Sequence, residues 1–485
     1  MLSFFIIIIY LATGFLIPLI GLLKRKNSYI MALLASSIAL IITIIAIPNV
    51  LFQGTIVKYM SGWPAPFGIT LAVDSFNMIF ISLATITNLM IVIYSKSRIK
   101  TWEVEYYSLL MLLFTGILGI LHTGDLFNMY VFFEIMAISS YALVSFHKNK
   151  NALECAIKYL ILGTFTSSFL LVGIALIYGI TGTLTIANIA IIIASKKAIA
   201  VPIAFGLIFA GFAFKSSIAP FHYLKSDISQ ASMPQISAIL ASIVSMTAIY
   251  AILRLYFIIF NQIFIFNYIL IVLGLLSMII GSLMALKQKD ILRMLGYSSI
   301  AQLGFVVLGF GMGAFVRQAY NAAIFHAINT VFIELLLFLT AGVLILKHNT
   351  SSLKELAGTG NKNKFLSIGF FVGAIANAGI PLTNGFASKW LLYTASLQIN
   401  PIITLIAIFT SVITLAYSLK AYVVLFMSNT DTKKTILDKP TIIIITILIS
   451  VCVALGIFYT AGLDISDISA RSLLNRAQYI KEVLA

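Results

Sequence analysis

Charge is scarce in this chain. Only 9% of its 485 residues are Asp, Glu, Lys or Arg, against about 25% in an ordinary soluble domain. A soluble fold of this length could not cover its surface with so few polar groups. Disordered chains, which need high charge and low hydrophobicity, are excluded too. Cysteine is nearly absent. Cys155 and Cys452 both lie in apolar runs, too few for a disulfide scaffold, a Cys-based metal site or an iron–sulfur cluster. No metal site, cofactor or redox centre is therefore expected. Acidic residues are half as common as basic ones, 15 against 31, giving a formal charge of +16. In a soluble protein that would suggest nucleic acid. Here it fits lysines and arginines in cytoplasmic loops, and no nucleic-acid partner is expected.

What the chain has is apolar length: 61% of it is hydrophobic and its mean hydropathy is +1.08. At about 20 apolar residues per span, that suffices for a dozen or more helices and leaves no room for a large soluble domain. The runs are long and apolar on all sides, which excludes a transmembrane β-barrel. The first run, 2–23, has no basic leader and no small-residue cleavage site, and ends at Lys24-Arg25-Lys26. It reads as a retained helix, not a signal peptide.

The hydropathy pattern predicts an all-α polytopic membrane protein of about fourteen spans. They are 2–23, 29–51, 75–95, 106–122, 126–146, 155–179, 200–222, 234–258, 263–286, 291–312, 317–346, 365–397, 401–427 and 441–462. With both termini outside, twenty of the 31 basic residues fall in inside loops, among them Lys24, Arg25, Lys26, Lys225, Lys433 and Lys434. Eight fall outside, including Lys196, Lys197 and Arg254. The bias supports that orientation in the cell membrane.

Two spans carry interruptions. Residues 365–399 as one helix would reach about 52 Å, against a hydrocarbon core of about 30 Å, and Gly379-Ile380-Pro381 falls in the middle. Span seven carries Ala219-Pro220 shortly after Lys215. Broken helices at membrane depth occur at transporter ion pathways and also as plain packing kinks. The loop 52–74 contains Gly62-Trp63-Pro64-Ala65-Pro66-Phe67-Gly68, which fits a short interfacial hairpin with Trp63 among the headgroups. From about Asp464 the tail has helical spacing and mixed charge, suited to the membrane surface or to a partner.

Five ionisable residues fall within spans: Glu134, Lys158, Lys215, Glu334 and Lys389. Each costs about 3 kcal/mol or more by insertion scales, so each should face the interior or snorkel. Lys158 is near enough to a helix end to snorkel, while Lys215 and Lys389 lie beside breaks. A pair between Glu134 and Lys215 would keep the lysine charged, and separating them would release its proton. His222 and His326 are candidate proton carriers between such lysines, or else hydrogen-bonded core histidines. Ser298 and its polar neighbours could hold water between the charges, or simply join helices.

Several of these residues sit in motifs. Gly124-Asp125-Leu126-Phe127-Asn128, Phe133-Glu134, Lys158-Tyr159, Phe214-Lys215-Ser216 and Pro220-Phe221-His222 occur in order. Lys289-Asp290, Tyr297-Ser298-Ser299, Gly379-Ile380-Pro381, Gly385-Phe386 and Ser388-Lys389 follow. Over about residues 60–430 the chain resembles the antiporter-like subunits of complex I and its relatives. It looks most like the D subunit of Mrp-type cation/proton antiporters and the related subunits of membrane-bound energy-converting hydrogenases.

That resemblance implies spans 4–8 and 9–13 as two inverted five-helix repeats, with helices seven and twelve discontinuous. The regions are then 1–105, 106–258, 259–427 and 428–485. It also implies proton movement along a central polar axis, within a complex of other membrane subunits. Glu134 would be the modulating acid, Lys215 the first-half lysine and Lys389 the terminal lysine of the second half. Asp125, Lys158 and Ser298 are possible additions to the path.

The chain departs from the family at Met246, where a lysine or histidine is usual, and at Ser229. It departs again at Thr330 and Glu334, the latter in place of a lysine. Glu334 is the candidate replacement carrier, two turns beyond His326. The function expected is a proton-translocating, or Na+/H+ antiport-supporting, subunit. The rivals are a non-conducting coupling subunit and, less favoured by the ordered motifs, a stand-alone secondary transporter. Any electron chemistry would belong to partners.

Overall fold

The computed structural model describes residues 2–21, 27–196, 198–260, 263–428 and 437–484. Lys24, Arg25, Lys26, Lys197, Lys433 and Lys434, used above for orientation, lie outside the described residues. Helices α1 (Phe5–Gly21) and α2 (Asn27–Gln53) lead into a small hairpin, β1 (Ile56–Tyr59) and β2 (Thr70–Val73). The strands pair antiparallel with Ile56 opposite Val73. Trp63, at the hairpin tip, is exposed, as the Gly/Pro-rich loop suggested.

Four apolar helices follow: α3 (Ser75–Ser95), α4 (Glu103–His122), α5 (Leu126–Val144) and α6 (Lys150–Thr181). A short α7 (Ile186–Ser195) precedes α8 (Ala200–Ser216) and α9 (Lys225–Ala231). Next come α10 (Pro234–Ile239) and α11 (Ser245–Leu255), which run together through a π-helical turn at Leu240–Val244. The second half contains α12 (Ile265–Lys287), α13 (Ile291–Met312), α14 (Gln318–His348), α15 (Lys364–Ala378), α16 (Asn384–Ile399) and α17 (Pro401–Tyr422). The chain closes with α18 (Lys439–Ile457), α19 (Tyr459–Leu474) and α20 (Arg476–Leu484). Among the described residues, twelve helices are long and apolar enough to cross a membrane.

Polar residues at the loop–helix junctions set where helices begin. The Asp74 carboxylate accepts from the Phe76 and Asn77 amides, and Asn77 Oδ1 accepts from the Asp74 amide, a reciprocal cap for α3. Asp125, Asn149 and Asp290 cap α5, α6 and α13 by each accepting one backbone N–H, from Asn128, Ala152 and Arg293. Close helix approach is set by glycine. A Cβ on Gly304 would lie 2.8 Å from the Gly274 carbonyl oxygen, and one on Gly281 would lie 2.6 Å from the Ala301 nitrogen. The α12–α13 seam is thus backbone against backbone, the small-residue packing that lipid-embedded helices use.

The centre of the bundle is α10–α11, α13 and α14, which are almost wholly buried. By contrast α2, α6 and α18 turn much of their apolar surface outward. Both interruptions are present. α15 ends at Gly379, whose φ of +83° is left-handed, and α16 starts only at Asn384. α8 ends at Ser217, and its continuation α9 begins at Lys225.

The structure corrects three placements. Lys225 is no loop lysine: it is the first residue of α9, beyond the expected end of span seven at 222, and only 5% exposed. Arg254 is not a surface charge at the outer loop but is fully buried on α11. Residues 180–199 hold α7, an apolar helix too short to have been counted as a span. The tail folds back on its own chain. Ser469 donates to the Ser75 carbonyl at 2.8 Å, and Arg476 donates to the carbonyls of Ile258 and Ala190 at 2.7 and 2.6 Å.

Candidate functional site

Lys215 occupies the last turn of α8, 2% exposed. The carbonyl end of a helix favours a cation, and α8 ends there because Ser217 takes a left-handed φ of +62°. Its Nζ donates to Ser140 Oγ at 2.7 Å and lies 4.5 and 4.4 Å from the ring centroids of Tyr141 and Tyr159. Glu134 does not form the expected direct contact. It sits on α5 ahead of Ser140, half-buried, with Oε1 lacking a hydrogen-bond partner. Its charge acts on Lys215 through space. Ser140 takes the contact position because its hydroxyl lies closer to the α8 terminus.

Lys389 is held in a similar manner. It lies on α16, 1% exposed, with Nζ donating to the Asn377 carbonyl at 2.7 Å and Ser411 Oγ at 3.4 Å. That carbonyl is available because α15 ends at the next residue, Ala378. The ammonium also lies 4.6 Å from the Phe305 ring centroid. The opposite edge of this group is polar. Asn377 Nδ2 and Tyr417 OH each donate to Ser298 Oγ at 2.8 Å, so Ser298 joins α13 to the α15 terminus and α17. His326 Nδ1 contacts Ser388 Oγ at 3.0 Å, and its ring packs edge-on to Phe305.

Glu334 lies on α14 and is completely buried, with neither carboxylate oxygen hydrogen-bonded. Its charged neighbour is Lys225, and the Tyr417 hydroxyl also lies within its field. No Lys225–Glu334 ion pair within 4.0 Å occurs among the described residues. Lys225 in turn acts on Lys215. Electrostatic neighbours link Glu134 with Lys215, Lys215 with Lys225, Lys225 with Glu334 and Glu334 with Tyr417, and hydrogen bonds through Ser298 and Asn377 lead on to Lys389.

Three candidates lie off this line. Lys158 is exposed on the outer side of α6 and pairs with Glu154 at 2.6 Å, one turn earlier. It faces neither the interior nor Lys215, because the i,i+4 partner is on the same outward face. His222 lies in the α8–α9 break, half-buried, with Nδ1 unpartnered; no hydrogen bond brings it to the axis. Asp125 caps α5 by accepting from the Asn128 amide at 2.8 Å. Burial pushes its carboxyl up to about 6, against the hydrogen bonds from the Asn128 and Phe127 amides.

Sequence reasoning missed Lys225 and the Asp74–Arg254 pair. Arg254 grips Asp74 with two hydrogen bonds of 2.7 Å. For Lys225, the one available signal was a lysine just after a broken helix. A cavity of about 740 Å³ opens beside the start of α6, lined by Glu154, Lys158, Asp227, Gln230 and Arg293 among others. A smaller one is lined by Tyr159, Lys215, Ser217 and Lys225. Among the described residues no three His, Cys, Asp or Glu side chains gather to hold a metal ion.

Residues 123–414 match the family model described as NADH:quinone oxidoreductase/Mrp antiporter, TM. The chain is 31% identical over 454 residues to the D subunit of the Na(+)/H(+) antiporter of Alkalihalophilus pseudofirmus, covering 92% of each chain. It superposes with a TM-score of 0.93 and 27% identity on a chain of the membrane-bound sulfane sulfur reductase, an archaeal respiratory membrane complex, covering 99% of each chain. A chain of the Mrp complex from a Dietzia species matches with a TM-score of 0.90 at 24% identity, over 100% of this chain and 99% of that one. That last likeness concerns the fold.

Proposed function

The chain belongs to the NADH:quinone oxidoreductase/Mrp antiporter transmembrane family, and from that premise we propose that it is a proton-translocating, or Na+/H+ antiport-supporting, subunit of a multisubunit membrane complex. The observation that carries this reading is the buried file of ionisable groups from Glu134 to Lys389, running past both broken helices. Intramembrane charges of this cost persist where they carry ions. Each lysine here is held by neutral oxygens instead of a carboxylate, so its proton is not locked in an ion pair.

In this reading α8 with α9 forms span seven, and α15 with α16 forms span twelve. Together with the twelve long helices they make the fourteen-span architecture. Regions 106–258 and 259–427 are then inverted repeats, flanked by 1–105 and 428–485, in the cell membrane with both termini outside. Glu134 modulates Lys215, Glu334 links the halves and Lys389 is the terminal carrier, with His326 and Ser298 beside it. The apolar outer faces of α2, α6 and α18 meet lipid or neighbouring subunits. Electrons, where the complex moves them, travel in those neighbours.

The rival reading, a subunit that keeps the fold without conducting, rests on Met246, which is fully buried on α11 and cannot bind a proton. The test is proton transport in vesicles carrying the assembled complex, followed by a pH-sensitive dye. Lys215→Ala, Glu334→Gln and Lys389→Ala should each lower transport at least tenfold while the complex still assembles. Wild-type transport by assembled Lys215→Ala and Lys389→Ala forms would establish the rival.

A further inference from the structure

We propose that Lys225 is a proton carrier at the junction of the two halves, working opposite Glu334 and doing from α9 what Met246 cannot do from α11. This rests on the transport reading above and gives a role to a residue that the reading leaves without one.

The first observation is how Lys225 is held. Its Nζ donates to the Leu240 carbonyl and to Ser245 Oγ, both at 2.7 Å. Ser245 is the immediate neighbour of Met246, so the ammonium reaches the stretch of α11 that carries the methionine. The Leu240 carbonyl lies at the start of the π-helical turn Leu240–Val244, where the helix widens. Ser245 Oγ also donates to it, at 2.9 Å. A wide turn on one helix and a break in the next thus combine to seat one amine inside the bundle.

The second observation is what lies opposite. Glu334 is fully buried with both carboxylate oxygens unpartnered, although Lys225 is its charged neighbour. A lysine that only braced α9 against α11 would leave that carboxylate unexplained. A lysine that exchanges a proton with it needs an acceptor that it influences without being locked to it, and the two are electrostatic neighbours that form no ion pair. The third observation is position. Lys225 acts on Lys215 as well as on Glu334, and a cavity touches both Lys215 and Lys225. A proton arriving on Lys215 repels one on Lys225, and an ionised Glu334 attracts it. Charge on either side therefore pushes in the same direction.

Arginine separates carrying from bracing. It keeps the charge and the donors but does not release its proton. Lys225→Arg in the intact complex should assemble normally and lose at least tenfold in vesicle proton transport. Lys225→Leu combined with Met246→Lys, which returns an amine to α11, should recover half or more of the wild-type rate. Wild-type transport by the assembled Arg form overturns the proposal. Where the Arg form fails to assemble, the double variant decides: assembly with transport supports the carrier role, and assembly without transport overturns it. Failure of the underlying reading looks different, since Lys215→Ala and Lys389→Ala would then transport normally as well.

Discussion

Arg254→Ala should loosen the end of the bundle where α3 meets α11 more than any other single change outside the buried lysine and glutamate sites. The guanidinium is 1% exposed and gives two hydrogen bonds of 2.7 Å to Asp74, with the Tyr250, Phe76 and Tyr479 rings around it. Removing one partner of a buried ion pair costs about 3–5 kcal/mol, because the other charge is stranded. Asp74 keeps its helix-capping bonds from the Phe76 and Asn77 amides, at 3.0 and 3.1 Å, which places the expected loss near the lower end, about 3 kcal/mol.

The assay is the thermal stability of the solubilised complex, with protease nicking of the 52–74 loop as a local probe. Asp74→Asn in the same chain should restore part of the loss, since it removes the stranded charge. The pH dependence has a defined sign. Burial alone would push the Asp74 carboxyl up, but Arg254 overrides this and holds it below the usual carboxylate range. A lowered carboxylate contributes stability above its unfolded value, about 3.9, and loses it as pH falls through the lower folded value. The contribution of the pair should therefore be flat from pH 5 to 8 and vanish only in strong acid. An Arg254→Ala complex as heat-resistant as wild type, or one not improved by Asp74→Asn, would refute the reasoning.

Two further outcomes bear on the same architecture. Lys158→Met should change proton transport less than twofold, measured in vesicles, because Lys158 is exposed with Glu154 on the outer face of α6. Gly304→Leu should sharply reduce the amount of assembled protein on a native gel, because even its Cβ would meet the Gly274 carbonyl oxygen at 2.8 Å; Gly304→Ala should show a weaker form of the same defect.

The spans were legible because apolar length is written directly in the chain. The breaks were legible because Gly379, Pro381 and Pro220 disrupt helices by simple stereochemistry. Lys215 and Lys389 stood out as charges beside those breaks. The rest depended on packing. Lys225 read as a loop residue because α9 is only 7 residues long, less than two full turns beyond a break, too short to show a periodicity. Arg254 looked like an outer-loop charge because nothing in its own apolar segment reveals Asp74, 180 positions away. Lys158 was legible in hindsight, since Glu154 stands four residues before it. That Lys215 donates directly to the Ser140 hydroxyl, with Glu134 acting on it only through space, depends on side-chain reach across α5 and α8, which no spacing rule ranks.

The buried cations of this chain divide into two kinds, and the division follows their partners. Arg254, on α11 shortly before a second π-helical turn at Tyr256–Phe260, is matched by a carboxylate in bidentate geometry, which fixes both charge and position. Lys215, Lys225 and Lys389 donate instead to hydroxyls and backbone carbonyls. Neutral oxygens steady an ammonium without pinning it, and they impose no uncompensated negative charge when the amine is neutral. The two carboxylates of the axis, Glu134 and Glu334, stay outside ion-pair distance of these lysines. They bias the amines through space but do not hold them. Under the proposed function, the Asp74–Arg254 clamp keeps the scaffold rigid while the amines held by neutral oxygens are left able to exchange protons.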